Sequence, residues 1–328
     1  REFLAARLID VFLGDWDRHQ DQWRWALVES AGKSRWRPIP RDRDQVFARF
    51  DGFLLGIARV EFPQLLSFGP KYSPIVGATW NGRDLDRRLL TELERPVWDS
   101  VAQALRTRLT DSVLAEAIGA LPPEYRAIDG PRLEKGLRAR RDAIPGMAEK
   151  YYRHLAGEVD VHGSRKAEVA VVERVDDRHV DVTLRPAGGG EPFFRRRFVT
   201  GETNEVRIYL QGEADSAVVT GTGSVGMTVR VIGGPGEDRF ANEARSGKVR
   251  FYDTDESTVA SGGPLNRKPY QAVADTTDPT SLPHRDWGNK ALSFPFAAVR
   301  PDAGFLLGWG GRRTTYGFRK KPYSSRIE

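Results

Sequence analysis

Two short stretches near the start of the chain carry the residue types best suited to chemistry. Residues 14–22 read GDWDRHQDQ, and residues 38–47 read PIPRDRDQVF. Clustered carboxylates can orient a hydroxyl or a water, and their hard oxygens suit Mg²⁺. The two stretches therefore predict acid–base or metal-assisted chemistry, with Asp17, Asp42 and Asp44 as the leading candidates.

The elements that must position these stretches can be predicted from periodicity. Apolar residues recur at helical spacing over residues 4–12, and Gly14 follows as a stop signal. Residues 23–28 and 35–39 are strand candidates, and the turn signal SAGK at 30–33 joins them. Because an antiparallel hairpin returns the chain to the end where it began, we expect the two acidic stretches to lie side by side.

The later pattern changes from helical to strand periodicity near residue 160. Helices are predicted over 83–94, 97–108, 111–119 and 131–156, with Gly130 and Pro131 as a break. Strands are predicted over 167–174, 178–184, 194–199, 205–210, 216–220, 227–232 and 248–253.

Within the strand region a weak repeat is visible. Val206, Val229 and Val249 begin similar four-residue segments, 23 and then 20 residues apart. Steps of this size are typical of a β-solenoid or a stacked β-sandwich. After a segment rich in Ser, Thr, Asp, Gly and Pro, residues 295–328 alternate again, and a turn is predicted at residues 310–313.

Composition and charge exclude several classes of protein. There is no cysteine, so disulfides, thiolate metal sites and thiol nucleophiles are excluded. The net charge is +6, but residues 300–328 alone hold seven basic and two acidic side chains. The remainder is nearly neutral, which argues against a nucleic-acid partner. No run of 18 apolar residues is present, so no transmembrane helix is predicted.

The acidic stretches carry a family resemblance. Residues 17–22 (DRHQDQ) resemble the DRHxxN loop of lipid kinases and secreted FAM20-type kinases, and residues 42–44 (DRD) resemble the metal loop of CotH-type and HipA-type atypical kinases. The resemblance implies that Asp17 is the catalytic aspartate and that Arg18 and His19 brace its loop.

The same resemblance implies Mg²⁺ or Mn²⁺ at Asp42 or Asp44, with a nucleotide as the possible phosphate donor. Gln22 stands where the family has a metal-binding Asn, and its longer side chain moves the carbonyl oxygen. The nucleotide-binding lobe of such a kinase would precede Arg1, so we expect the chain to be an internal piece of a longer protein.

The end of the chain carries a second resemblance. Residues 301–308 (PDAGFLLG) and 315–319 (TYGFR) resemble the opening of a bacterial surface-antigen barrel of the BamA/TamA type. Taken in their order along the chain, the acidic loops, the helices, the β-domain and the barrel-like strands resemble an internal fragment of a large bacterial outer-membrane protein. Proteins of this kind are often labelled metallophosphoesterases. The resemblance implies a bacterial cell envelope location, with the barrel in the outer membrane and a periplasmic or surface soluble region.

The expected fold class is α+β and multi-domain. A mainly helical kinase-like C-lobe with the acidic hairpin is followed by an all-β domain and the first strands of a barrel. The expected boundaries are 1–158 for the lobe, 159–256 for the β-domain, 257–293 for a linker or surface loop and 294–328 for the barrel strands.

Three functions remain open from sequence. The first is Mg²⁺-dependent phosphoryl transfer to an unidentified phosphoacceptor. The second is an inactive scaffold for surface display or outer-membrane assembly, which Gln22 favours. The third is an accessory region of a metallophosphoesterase whose catalytic domain lies upstream. Residues 233–240 (GGPGEDRF) also match a calcium-binding repeat of β-rolls, but a single copy favours a tight turn over a Ca²⁺ site.

Overall fold

A computed structural model describes residues 1–30, 32–224, 226–253, 258–261, 267–269, 285–302 and 304–328. The chain is α+β and forms two compact units, Arg1–Gln271 and Ala272–Glu328. Over the described ranges, no helix is both long and apolar enough to cross a membrane.

The first half of the larger unit is mainly helical. Its helices are α1 (Glu2–Leu13), α2 (Phe53–Ala58), α3 (Ile75–Ala78), α4 (Arg83–Leu89), α5 (Arg95–Arg108), α6 (Asp111–Gly119), α7 (Pro123–Asp142) and α8 (Ile144–Ala156). Leu4 and Leu8 of α1 are fully buried in a core shared with Trp98 of α5 and Tyr151 of α8. Helix α1 ends as predicted, because Gly14 adopts the left-handed conformation with φ 76°.

The predicted helix break at Gly130 and Pro131 is wrong. Both residues lie inside α7, which continues to Asp142 before α8 begins. Gly130 is buried near α6, where a Cβ would lie at an ordinary van der Waals distance of 3.6 Å from Ile118.

The acidic hairpin forms as predicted. Strand β1 (Trp23–Ser30) pairs antiparallel with β2 (Lys33–Pro40), and Trp23 lies opposite Pro40. Consequently the stretch before β1 and the stretch after β2 leave the hairpin at the same end. Trp23 is buried against Phe3 of α1, with ring centroids 4.7 Å apart, which seats the hairpin on the helical core.

The second half of the larger unit is built from two sheets. One has the order β13-β11-β9-β7-β3 and the other the order β12-β10-β8-β4-β5-β6. The strands are β3 (Glu158–His162), β4 (Glu168–Arg174), β5 (His179–Pro186), β6 (Phe194–Val199), β7 (Glu205–Tyr209), β8 (Ser216–Gly221), β9 (Thr228–Ile232), β10 (Arg239–Asn242), β11 (Lys248–Asp253), β12 (Thr258–Ser261) and β13 (Arg267–Pro269).

All strands of the first sheet pair in parallel, and so do β4, β8, β10 and β12 of the second, which is the pairing of stacked solenoid coils. Strand β5 departs from this pattern, because it pairs antiparallel with both β4 and β6. Val206 pairs with Val229 and Val229 with Val249, in the register that the sequence repeat predicts. Strand β10 was not predicted, because its four residues include a charged and an amide side chain. Most of the predicted linker 257–293 lies outside the described residues; inside that range, β12 and β13 pair with solenoid strands.

The smaller unit contains a long antiparallel hairpin. Strands β14 (Asn289–Arg300) and β15 (Gly304–Thr315) pair along their whole length, and β16 (Ser325–Ile327) pairs with β15. The turn predicted at residues 310–313 is wrong, since these residues lie within β15. Phe294 of β14 lies opposite Gly310, and a Cβ at that glycine would lie only 2.9 Å from its ring.

Candidate functional site

The two acidic stretches adjoin, as the hairpin predicts. We name residues 14–22 loop 1 and residues 41–47 loop 2. The backbone N–H of Arg41 donates to the carbonyl of Gln22 at 2.8 Å, which joins the end of loop 1 to the start of loop 2. Loop 1 closes with a 3₁₀ turn at Gln20–Gln22, and the left-handed backbone of Asp42 (φ 49°) bends loop 2.

Arg18 is the clamp between the two loops. Its side chain is fully buried, and its guanidinium donates to the carbonyls of Arg41 and Asp42, the latter at 2.6 Å. A longer bond of 3.4 Å reaches the carbonyl of Gln22, and the guanidinium also stacks on the ring of Trp23. A cation that donates to carbonyls on both loops fixes their separation.

Asp10, near the C-terminal end of α1, forms ion pairs with Arg18 and with loop 2. Its Oδ2 lies 3.3 Å from Nε of Arg18, and its Oδ1 lies 3.0 Å from the guanidinium of Arg43 in loop 2. Arg7, one helical turn earlier, lies 3.1 Å from Asp10. One buried carboxylate therefore holds an arginine from each acidic loop.

The network continues into the helical core. Arg7 makes a two-point contact with Asp86 of α4, with distances of 2.7 and 2.9 Å, and the hydroxyl of Tyr151 donates to the same carboxylate. All three side chains are essentially inaccessible to solvent. The acidic loops are thus supported by charges that are themselves fixed by α4 and α8.

Asp17 and His19 lie on the open side of loop 1. Asp17 is about a quarter exposed and His19 less than half exposed, with the imidazole Nε2 4.0 Å from Oδ2 of Asp17. The backbone N–H of Asp21 donates to Nδ1 of His19, so a neutral His19 carries its proton on Nε2, facing Asp17.

Asn81 contributes a third side chain that sequence reasoning missed. Its amide donates to Oδ1 of Asp17 at 2.9 Å, across a sequence separation of 64 residues. Gly82 makes the approach possible, since a Cβ there would lie 2.6 Å from Arg7 and 3.0 Å from the carbonyl of Arg18. An Asn-Gly pair between short helices does not by itself mark a functional residue in the sequence. Only the proximity of Asn81 to loop 1 in the fold identifies it as part of the candidate site.

Asp42 and Asp44 lie exposed on loop 2. The backbone N–H of Asp44 donates to Oδ1 of Asp42 at 3.4 Å, and the amide of Gln45 donates to Asp44 at 3.1 Å. Gln22 is half-buried. Its backbone carbonyl accepts hydrogen bonds from the guanidinium of Arg18 and from the backbone N–H of Arg41. Within the described ranges, no three His, Asp or Glu side chains lie close enough to form a metal cluster.

Asp15 is the titratable group of loop 1 whose protonation the fold changes most. Burial, together with the charge of Asp10, raises its pKa to about 6, although Arg18 acts in the opposite direction. Its Oδ2 lies 3.6 Å from Arg18, longer than a hydrogen bond. Asp15 also lines a narrow cleft with Trp16, Phe68 and other side chains. A carboxyl that titrates near neutrality in a cleft is a candidate acid or base.

Comparisons with known proteins add no relative: no family model, no curated protein and no solved structure matches the chain.

Proposed function

We propose that loops 1 and 2 form a kinase-like site for Mg²⁺- or Mn²⁺-dependent phosphoryl transfer. Asp17 orients the acceptor hydroxyl, and Asp42 and Asp44 hold the metal. The metal, when bound, neutralises charge on the transferring phosphoryl group. The phosphoacceptor is unidentified, and the phosphate donor is a nucleotide.

The observation that carries this proposal is the clamp of Arg18. Its guanidinium donates to the carbonyls of Arg41 and Asp42 while it pairs with Asp10 from below. The clamp joins loop 1, which carries Asp17, to loop 2, which carries Asp42 and Asp44. Position and electrostatics are the contributions that phosphoryl transfer requires of a protein.

The donor set of loop 2 fits Mg²⁺ better than Zn²⁺ or a soft metal. Asp42 and Asp44 offer hard carboxylate oxygens and are exposed to solvent. Mg²⁺ is usually held by one or two carboxylates, and waters and substrate phosphates complete its octahedral shell. The pair therefore suits a metal that arrives together with a phosphate donor.

The orientation of Asp17 supports the role of substrate-orienting carboxylate. Asn81 donates to its Oδ1, and the Nε2 of His19 lies 4.0 Å from its Oδ2. One oxygen is thus fixed by an amide, while the other lies near the partly exposed imidazole of His19. This is the arrangement in which a carboxylate can accept a hydrogen bond from an incoming hydroxyl.

The second candidate function is an inactive scaffold for surface display or outer-membrane assembly. Its specific support is that Asp42 closes its own turn, since its Oδ1 accepts the backbone N–H of Asp44. A loop whose polar groups are used internally can position neighbouring domains without binding a metal.

The smaller unit supports the outer-membrane proposal through one face of its hairpin. Phe305, Leu307 and Trp309 of β15 share a face with Val299 of β14, and each of these side chains is at least 66% exposed. An extended apolar band on alternate residues of long antiparallel strands is the pattern that barrel strands present to lipid. We therefore propose that this face contacts the hydrocarbon of an outer membrane.

Phosphoryl transfer is tested with the full-length protein, including any nucleotide-binding segment that precedes Arg1. A labelled nucleoside triphosphate is supplied with Mg²⁺ or Mn²⁺, and autophosphorylation and hydrolysis of this donor are measured. Asp17→Ala and Asp42→Ala/Asp44→Ala are expected to abolish metal-dependent turnover, whereas Asp21→Ala, an exposed change in the same loop, retains it. Equal activity in all variants contradicts the proposal, and a folded protein without turnover favours the scaffold.

The lipid contact is tested by single cysteines, which a chain without natural cysteine allows cleanly. An environment-sensitive fluorophore is attached at Leu307→Cys on the exposed apolar face and at Leu306→Cys on the opposite face. In vesicles the emission at position 307 is expected to shift to the blue more than that at 306. Identical aqueous spectra at both positions contradict the proposal.

A further inference from the structure

Three carboxylates are stacked in register where the solenoid coils turn. Glu168 is the first residue of β4, while Asp215 and Asp238 immediately precede β8 and β10. The pairing of Val169 with Ser216 and of Ser216 with Arg239 puts the three acids at equivalent positions on successive coils. Each is at most 1% exposed. We name these three residues the carboxylate ladder.

The ladder extends the hydrogen bonding between coils. Oδ1 of Asp215 accepts the backbone N–H of Glu168 at 2.8 Å, and Oδ1 of Asp238 accepts the backbone N–H of Asp215 at the same distance. Each aspartate thus binds the coil that precedes it. In the described solenoid, the second oxygens of all three side chains are buried, and those of Glu168 and Asp215 have no hydrogen-bond partner.

The surroundings of these second oxygens are acidic and close-packed. Glu168 and Glu213 act on Asp215, and Asp253 shares a hydrogen bond with Asp238. A Cβ on Gly163 would lie 2.1 Å from Oε2 of Glu168, and one on Gly233 would lie 2.0 Å from Oδ2 of Asp238. Backbone therefore lies against two of these oxygens, which leaves no room there for a metal ion of Ca²⁺ size.

We infer that Asp215 and Asp238 of the carboxylate ladder bind protons more tightly in the folded chain than in the unfolded chain, and that the solenoid coils lose stability as those protons leave. Buried like charges about 5 Å apart, the spacing of neighbouring strands, oppose one another strongly in a low dielectric. A proton on one oxygen removes the charge and converts that oxygen into a donor, while Oδ1 continues to accept from the preceding coil. This inference does not depend on the proposed function.

The direction of the titration agrees with this geometry. Burial and the neighbouring carboxylates raise the pKa of Asp215 to about 8 and that of Asp238 to about 6, from an ordinary value of 3.8. Because the folded chain holds these protons more tightly than the unfolded chain, their contribution to stability declines as the pH rises from about 4 to about 8.

The test is thermal unfolding of the whole chain across this range, with Asp215→Asn and Asp238→Asn as separate variants. Asparagine retains the accepting oxygen but cannot ionise. Relative to the wild type, each variant is expected to gain about 5 °C in Tm between about pH 5 and pH 8.5. Glu173→Gln, an exposed change on β4, serves as the control and should follow the wild type at every pH.

Two results would overturn the inference. One is a Tm difference between wild type and both asparagine variants that is constant with pH, since the ladder would then be ionised throughout. The other is an increase in wild-type Tm on adding Ca²⁺ that both variants lose, because the ladder would then hold a cation. If one variant fails to fold, the other supplies the same comparison at its own coil.

Discussion

Buried carboxylates occur in both halves of the larger unit, but they meet opposite partners. In the helical half, Asp10 lies within 3.3 Å of Arg7, Arg18 and Arg43, and Asp86 is bound by Arg7. In the solenoid, Asp215 and Asp238 meet other carboxylates. Buried aspartates therefore meet arginines in one half and other carboxylates in the other, and the like-charged neighbours add to the effect of burial in raising the pKa of Asp215 and Asp238.

The difference also separates two uses of buried charge. Arginine–carboxylate contacts have fixed geometry, so they can position loops around a site. Stacked carboxylates respond to pH and can change the stability of the coils without a ligand. We expect mutations to expose this contrast, and the largest effects should come from the arginine network.

The largest effect is expected for Asp86→Ala. The change leaves Arg7 buried without its two-point partner, and breaking such a pair destabilises a protein by about 3–5 kcal/mol. The free energy of unfolding is measured by urea denaturation. The control is Asp84→Ala on the same helix, whose side chain is 45% exposed. Equal losses for the two variants would show that the network is not what stabilises α4.

Arg18→Lys is expected to lower the free energy of unfolding by about 2–3 kcal/mol. Lysine keeps the positive charge beside Asp10 but cannot donate to the carbonyls of both Arg41 and Asp42. Amide hydrogen exchange in loop 2 should accelerate more than exchange in α5. Arg41→Lys, at an exposed position, is the matched control. Unchanged protection in loop 2 would argue against the clamp.

Glu205→Gln is expected to lower the free energy of unfolding by about 2 kcal/mol at pH 7. The contribution of Glu205 to stability changes with pH in the opposite direction to that of the carboxylate ladder. Burial opposes the charge of Glu205, but Arg230 at 2.8 Å and Arg207 at 2.6 Å lower its pKa overall. Its contribution is present above its ordinary pKa and is lost as the pH falls through the lowered value. Denaturation should therefore show the variant and wild type converging in acid. A difference in the free energy of unfolding between wild type and variant that widens in acid would contradict this pH dependence.

The smallest effect is expected for Asn81→Ala. Loss of one hydrogen bond to Asp17 should reduce the free energy of unfolding by about 1 kcal/mol. A double-mutant cycle with Asp17→Ala isolates the pair, and the coupling energy should be close to the effect of the single change. A coupling energy of zero would mean that Asn81 does not orient Asp17.

Local signals in the sequence predicted the scaffold of the candidate site well. The helical spacing before Gly14 and the turn signal between two alternating segments are properties of contiguous residues, so α1 and the hairpin follow from them. The valine repeat predicted the solenoid register for the same reason. These elements are sufficient to predict that loops 1 and 2 adjoin.

The parts that the sequence did not reveal depend on distant residues. Asn81 reaches Asp17 only because α3 and α4 fold back over loop 1, and Asp86 reaches Arg7 across 79 residues. A partial signal existed in Arg7 and Asp10, since charges one turn apart on an otherwise apolar helix face need buried partners. Pro131 misled as a local signal for a break, because α7 continues through it.

The central claim is that loops 1 and 2 form one metal-dependent site, and Mn²⁺ binding tests it most directly. Calorimetric titration of the full-length protein, including any nucleotide-binding segment that precedes Arg1, is done with Mn²⁺ alone and with Mn²⁺ and a nucleoside triphosphate. Wild type, Asp17→Asn, Asp42→Asn and Asp21→Asn are compared. We predict that Asp42→Asn weakens binding of the metal–nucleotide complex about tenfold or more, while Asp17→Asn, which changes the acceptor-orienting carboxylate, and Asp21→Asn leave this binding unchanged. Binding that is absent from the wild type, or that is insensitive to Asp42→Asn, would contradict the account.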